Sequence, residues 1–112
     1  MFTKKSNQLA KNYFMDLACK QACYALGNTG TNPAVGCVVV KDGCVISAAR
    51  TSHAGRPHAE FNAINNVKLK FKGTDLYATL EPCSHYGKTP PCVNLIAKKG
   101  IKKVFFSVND ID

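Results

Sequence analysis

The first pattern along the chain is helical. From Leu9 to Leu26 apolar side chains recur every three or four residues, which predicts an amphipathic helix. The glycines, asparagine and threonine of residues 27–30 end it. The predicted apolar stripe consists of Leu9, Tyr13, Leu17, Ala18, Ala22, Ala25 and Leu26.

The pattern then changes to short apolar runs. Val35–Val40 is rich in β-branched residues and predicts a buried strand. Lys41–Gly43 is a tight-turn signal, so we expect Cys44–Ala49 to return antiparallel. Further elements are predicted as a helix over about His58–Val67, a strand over Asp75–Thr79, a helix from Pro90 to Lys99 and a strand over Lys102–Val108. Strands separated by helices indicate parallel pairing and a layered α/β domain.

Length and hydropathy favour one globular domain. The chain has 112 residues and 46% hydrophobic content, so we predict a single domain over residues 1–112. No apolar run reaches the roughly 20 residues of a membrane span. The first eight residues are polar and lack the apolar stretch of a signal peptide, which predicts a cytoplasmic protein that does not cross a membrane.

The chain is strongly basic, with a formal charge of +8. A basic protein can bind nucleic acid, but the thirteen lysines are spread along the chain and fit a solvated surface equally well. A basic field would also attract a phosphorylated substrate. Charge alone does not separate these options, but we do not expect a nucleic-acid partner.

The six cysteines do not predict a disulfide framework, because no signal peptide is present. We expect Cys19, Cys23 and Cys37 to be small buried side chains.

Cys44 is uninformative, and the other two cysteines belong to a candidate metal motif. His58 and Glu60 form an H-x-E pair, Cys83 follows Pro82, and Cys92 lies further on. One imidazole and two thiolates leave the fourth tetrahedral position of zinc open for water, as in catalytic zinc sites. Zinc deaminases carry H-x-E followed by P-C-x-x-C, with the glutamate as a proton shuttle and not a ligand. Here eight residues separate the two cysteines in place of two.

Each of these residues also has an ordinary structural interpretation. A single histidine before a helix is usually a surface or capping residue, a single glutamate is usually solvated, and paired cysteines are usually structural. Two other histidines, His53 and His85, are rival ligands. The order and combination of His58, Glu60 and the two cysteines favour a catalytic zinc site, with Glu60 as the general acid–base.

The longer runs around these residues resemble one family, the bacterial riboflavin-pathway pyrimidine deaminases. The similarity extends over about residues 9–110 and is most specific in the long insertion between the cysteines. It is carried by T-L-E-P-C-S-H-Y-G-K-T-P-P-C at 79–92, T-N-P-A-V-G-C-V-V-V at 31–40 and G-R-P-H-A-E at 55–60.

The resemblance implies a cytidine-deaminase-like fold, a three-layer α-β-α sandwich with a mixed sheet. Both ligand segments would then lie at helix starts, where backbone N–H groups favour thiolate. The family's domain continues for a further strand and helix, and many members carry a reductase domain. This sequence ends at Asp112, so we expect either a natural short form or a fragment, without a reductase domain.

The resemblance also implies a substrate, a diaminopyrimidinone bearing a ribosylamino 5′-phosphate, which loses its exocyclic amine. Asn32 would bind the pyrimidine or ribose, and Lys88 would bind polar groups or the phosphate. Thr51 stands where the family commonly has a histidine that binds substrate. It could form a hydrogen bond there but could not carry a charge. The full implied set of substrate contacts is Asn32, Thr51, Ala59, His85, Lys88 and Thr89.

Two alternatives remain open. One is a deaminase of another nucleoside, nucleotide or tRNA base, which the eight-residue insertion disfavours. The other is an inactive, zinc-stabilised partner module, which Thr51 and the missing C-terminal elements allow and Glu60 disfavours. The sequence leaves open a separate reductase partner and a homo-oligomer.

Overall fold

The structure, a computed structural model, describes residues 4–30, 33–65, 68, 70–79 and 92–106. All seven predicted helices and strands are present in it, together with one short 3-10 turn. In chain order they are helix α1 (Lys4–Ala25), strands β1 (Gly36–Lys41) and β2 (Cys44–Arg50), the turn (His53–Gly55), helix α2 (Ala59–Asn65), strand β3 (Asp75–Ala78), helix α3 (Cys92–Lys98) and strand β4 (Lys103–Phe106).

The four strands form one mixed sheet in the order β2-β1-β3-β4. β1 and β2 form the predicted antiparallel hairpin, and its turn places Asp42 and Gly43 at positive φ (51° and 81°). Such a turn matches the twist of the two strands. The prediction of parallel pairing is right for β3 and β4 and wrong for β3 and β1, which are antiparallel. The helix α2 carries the chain across β1, so β3 runs parallel to β2 without being its neighbour.

Helices cover both faces of the sheet, as a three-layer sandwich requires. Alternate residues of β1 point to opposite faces. Cys37 and Val39 belong to the larger apolar core, which α2 and α3 cover, whereas Val38 and Val40 belong to the smaller core under α1. The predicted fold class is therefore confirmed, with β1 buried between two helical layers.

Helix α1 faces the sheet through only part of the predicted stripe. Phe14, Ala18, Ala22 and Ala25 are buried, whereas three members of the predicted stripe, Leu9, Tyr13 and Leu26, are exposed. The backbones of α1 and β1 approach closely at these alanines. A Cβ on Gly36 of β1 would overlap the carbonyl oxygen of Ala18 and the backbone nitrogen of Ala22. This close approach fixes the rotation of α1 about its axis.

The buried cysteine prediction holds for one of three residues. Cys37 is buried, Cys19 is half-buried and Cys23 is exposed, because α1 turns its alanines and not its thiols toward the sheet. Among the helices that the structure describes, none is long and apolar enough to cross a membrane.

Candidate active site

Four predicted site residues that the structure describes, Thr51, His58, Ala59 and Glu60, follow the end of β2 at one end of the sheet. There β2 ends at Arg50, β3 ends at Ala78 and β1 begins at Gly36, and these residues pair or neighbour one another in the sheet register. His58 directly precedes α2, and Cys92 is the first residue of α3. The two helices pack against each other on the same face of the sheet, and both begin at this end.

The loop between β2 and α2 is tied to the helix by the amide of Asn62. Its Nδ2 donates to the carbonyl of Arg50 at 2.8 Å, to Oγ of Ser52 at 2.8 Å and to the carbonyl of Pro57 at 3.3 Å. The backbone N–H of Ser52 also donates to the carbonyl of Pro57 at 3.0 Å. These bonds fix the backbone that leads into His58. Asn62 was not predicted as a site residue, although it is a polar residue one helical turn after His58.

Glu60 lies in the second position of α2 and is only 4% exposed. Burial raises the pKa of its carboxyl above the usual range, and a hydrogen bond from its own backbone N–H partly opposes that rise. The helix is anchored by the neighbouring Ala59 and by Ala63 and Ile64, which belong to the larger core. A buried carboxyl with a raised pKa is suited to accept a proton and to return it in the same reaction.

Thr51 is buried at the same end of the sheet, with 3% of its surface exposed. Its Oγ1 accepts a hydrogen bond from the backbone N–H of Val35 at 2.9 Å and lies 3.4 Å from the carbonyl oxygen of Pro33. These described contacts are to the protein backbone. Whether Thr51 also contacts a substrate, as the resemblance implied, stays a prediction.

Several predicted site residues lie outside the described part of the chain. They are Asn32, Cys83, His85, Lys88 and Thr89, and of Cys92 only the backbone is described. Within the described residues, no group of three or more His, Cys, Asp and Glu side chains could hold a metal ion. The ligand set of His58, Cys83 and Cys92 therefore stays a prediction, as do the substrate contacts of Ala59 and the residues outside.

The fold and the sequence together define the class. Residues 9–108 match the family described as the cytidine and deoxycytidylate deaminase zinc-binding region. The chain therefore belongs to this family of zinc-binding deaminase domains.

Within the family, the chain is similar to proteins of riboflavin biosynthesis, which confirms the resemblance. It is 50% identical over 100 residues to the riboflavin biosynthesis protein RibD of Bacillus amyloliquefaciens, covering 89% of this chain and 27% of that protein. It is 41% identical over 95 residues to the diaminohydroxyphosphoribosylamino-pyrimidine deaminase of Buchnera aphidicola, covering 85% of this chain and 65% of that protein.

A solved structure confirms the fold. The deaminase/reductase of Thermotoga maritima, named for a diaminohydroxyphosphoribosylaminopyrimidine deaminase and a 5-amino-6-(5-phosphoribosylamino)uracil reductase, superposes with a TM-score of 0.87 at 41% identity. The match covers 95% of this chain and 31% of that one. The chain thus spans between a quarter and a third of the length of the RibD relatives that it matches at 50% and 46% identity.

Proposed function

We propose that this chain catalyses the hydrolytic deamination of the diaminohydroxyphosphoribosylaminopyrimidine intermediate of riboflavin biosynthesis, with release of ammonia. The reaction makes it a hydrolase of carbon–nitrogen bonds in a cyclic amidine. The observation that carries the proposal is the buried carboxyl of Glu60, two residues after His58 at the start of α2. The names of the relatives support the choice of substrate.

His58, Cys83 and Cys92 are proposed to hold a zinc ion. A neutral imidazole and two thiolates suit zinc and balance its double charge. The placement of His58 before α2 and of Cys92 at the start of the adjacent α3 supports this set. When bound, zinc supplies the Lewis acidity that lets water lose a proton near neutral pH.

Glu60 is proposed to move the protons. It accepts one proton from the attacking water and delivers it to the ring nitrogen beside the amine-bearing carbon. It then takes the second proton from the hydroxyl added to that carbon and delivers it to the departing amine. A carbon–oxygen bond forms and the carbon–nitrogen bond breaks, so the oxygen of water remains in the product as a carbonyl and ammonia leaves. The burial of Glu60 keeps this carboxyl from exchanging its proton freely with solvent.

The substrate is proposed to contact Asn32, Ala59, His85, Lys88 and Thr89. The amide of Asn32 can donate and accept hydrogen bonds to the pyrimidine or ribose, and the ammonium of Lys88 suits a phosphate. The net charge of +8 favours the approach of a phosphorylated molecule.

A reductase is the proposed partner activity, since the Thermotoga relative is named for both a deaminase and a reductase. A cytoplasmic location and a homo-oligomer stay predictions.

Ammonia release tests the proposal. The zinc-loaded chain is incubated with the pyrimidine ribotide, and in parallel with dCMP and an adenosine-containing RNA, and ammonia is measured by a coupled assay. Ammonia from the ribotide alone is expected. Ammonia from one of the other substrates alone would replace the proposed substrate, and no ammonia from any of them with zinc bound would indicate the inactive module.

A further inference from the structure

Gly36, the first residue of β1, and Val35, which precedes it, each form hydrogen bonds with a threonine. Val35 N–H donates to Thr51 Oγ1 at 2.9 Å, and Thr51 N–H returns a bond to the carbonyl of Val35 at 2.9 Å. Gly36 N–H donates to Thr79 Oγ1 at 3.1 Å, and Thr79 N–H returns a bond to the carbonyl of Gly36 at 3.0 Å. We call these four residues the threonine clamp.

The two halves of the clamp come from opposite sides. Thr51 follows the end of β2 and Thr79 follows the end of β3, and both strands flank β1 in the sheet. Successive residues of an extended chain direct their N–H and C=O groups to opposite neighbours, so Val35 and Gly36 bond to different strands. The clamp thus extends the sheet by one residue on each side, with side-chain oxygens where backbone acceptors would otherwise be needed.

Both threonines are buried, and the described bonds of both hydroxyls are to the protein backbone. Thr79 has no exposed surface and Thr51 is 3% exposed. The hydroxyl hydrogen of Thr51 can reach the carbonyl of Val35 at 3.3 Å or that of Pro33 at 3.4 Å. Its contacts therefore extend over the segment from Pro33 to Val35, and that segment is bonded directly to Asn32.

The clamp also lies at the end of the sheet that carries the candidate site. The loop to His58 leaves β2 through Thr51, and the segment to Cys83 leaves β3 through Thr79. One backbone segment, Pro33–Gly36, is therefore hydrogen-bonded to the starts of both ligand-bearing segments.

We propose that Thr51 is a positioning residue, which acts on the substrate through the Pro33–Val35 backbone and Asn32 and not by direct contact. This inference rests on the proposed function, because it takes Asn32 as a substrate contact. It gives a role to the threonine that stands where the family commonly has a substrate-binding histidine. Thr79 holds the other side of the same segment.

Threonine-to-valine and threonine-to-serine substitutions separate the hydroxyl from the shape of the side chain. Thr51→Val keeps the volume but leaves Val35 N–H buried without an acceptor, so the backbone of Pro33–Val35 can shift. Thr51→Ser keeps the oxygen. If Asn32 contacts the substrate equally in the ground and transition states, the loss appears in KM and not in kcat. We expect Thr51→Val to raise KM by about five- to tenfold, and Thr51→Ser to stay within about twofold of the wild type.

A matched control is available at the opposite end of the sheet. Thr74 is equally buried and its hydroxyl donates to the carbonyl of Phe71, but it precedes β3 and is remote from the clamp. Thr74→Val should destabilise the fold in urea, as Thr51→Val does, while leaving KM unchanged. If KM rises in both variants in proportion to their loss of stability, the inference is overturned.

The decisive test is a double-mutant cycle on ribotide binding. Dissociation constants are measured calorimetrically in the zinc-loaded Glu60→Gln background, which separates binding from turnover. Thr51→Val should weaken binding with Asn32 present and have little further effect after Asn32→Ala. Additive effects would overturn the positioning role and point to direct contact. If the ribotide binds and the two substitutions are coupled, but the wild-type chain releases no ammonia, the role of the clamp is supported and the proposed catalysis is rejected. If the ribotide does not bind, both are rejected.

Discussion

Replacing Glu60 by glutamine should have opposite effects on turnover and on stability. The substitution keeps the shape of a side chain that is 4% exposed and removes its ability to carry a proton or a charge. Without a proton shuttle, ammonia release from the ribotide should fall by about 10²- to 10⁴-fold. The metal content should not change, because Glu60 is not a proposed ligand.

The stability effect follows from the raised pKa of Glu60, whose main cause is burial. A carboxyl whose pKa is higher in the folded than in the unfolded chain binds its proton more tightly when folded. Its contribution to stability is therefore complete below the unfolded pKa and is lost as the pH rises through the folded pKa. Glutamine does not titrate, so the metal-free variant should gain stability over the metal-free wild type as the pH rises from about 4 toward 7.

At neutral pH that gain should be about 1–3 kcal/mol, the usual cost of a buried polar group that is poorly solvated. Urea unfolding of both metal-free chains, followed by far-UV circular dichroism at several pH values, measures it. The metal-free state is required, because a bound cation would favour the carboxylate. A variant that is less stable than the wild type at pH 7, or a difference that does not change with pH, would refute the reasoning about burial. Turnover at the wild-type rate would remove the shuttle role.

Three further predictions concern the metal, the substrate and the fold. Metal analysis of the wild type should find about one zinc per chain, and Cys92→Ala should lose it. The variant should also unfold more readily, because zinc binding can contribute ~10–16 kcal/mol to folding. An unchanged zinc content would remove Cys92 from the ligand set. Lys88→Ala should raise KM with little change in kcat, and the difference should shrink at high salt; an unchanged KM with a collapsed kcat would make Lys88 catalytic. Gly36→Ala should lower the free energy of unfolding by about 3 kcal/mol or more, because its Cβ would overlap the backbone of Ala18 in α1. In the control Gly43→Ala the new Cβ has open space around it but a backbone φ of 81°, so the free energy of unfolding should fall by only about 1–2 kcal/mol. Equal losses of stability in the two variants would contradict the close approach of α1.

Local patterns predicted the elements of this fold well, but not how they are arranged. The turn at Asp42 and Gly43 identified the β1–β2 hairpin, because hairpin register is set by residues next to each other in sequence. The antiparallel pairing of β3 with β1 was missed, since strand order depends on the path of α2 across the sheet. Tyr13 was wrongly placed on the buried side of α1, where the structure has Phe14, for a related reason. The rotation of that helix is set by contact with Gly36, which the helical pattern does not contain.

The candidate site divides in the same way. The placement of His58 and Glu60 at the start of a helix followed from a short motif and was found in the structure. The threonine clamp was not predicted, because its side-chain bonds join residues 16 and 43 positions apart. Polar residues that bond to distant backbone groups leave no periodic signal in the sequence.

Hydrolysis in oxygen-18 water tests the central claim most directly. The zinc-loaded chain is mixed with the pyrimidine ribotide in labelled water, and ammonia and the mass of the product are followed together. The account predicts that each ammonia released is matched by one labelled oxygen at the ring carbon that carried the amine, and that both signals disappear in Glu60→Gln. A chain that binds zinc and the ribotide and yet releases no ammonia, or a product without the label, would contradict it.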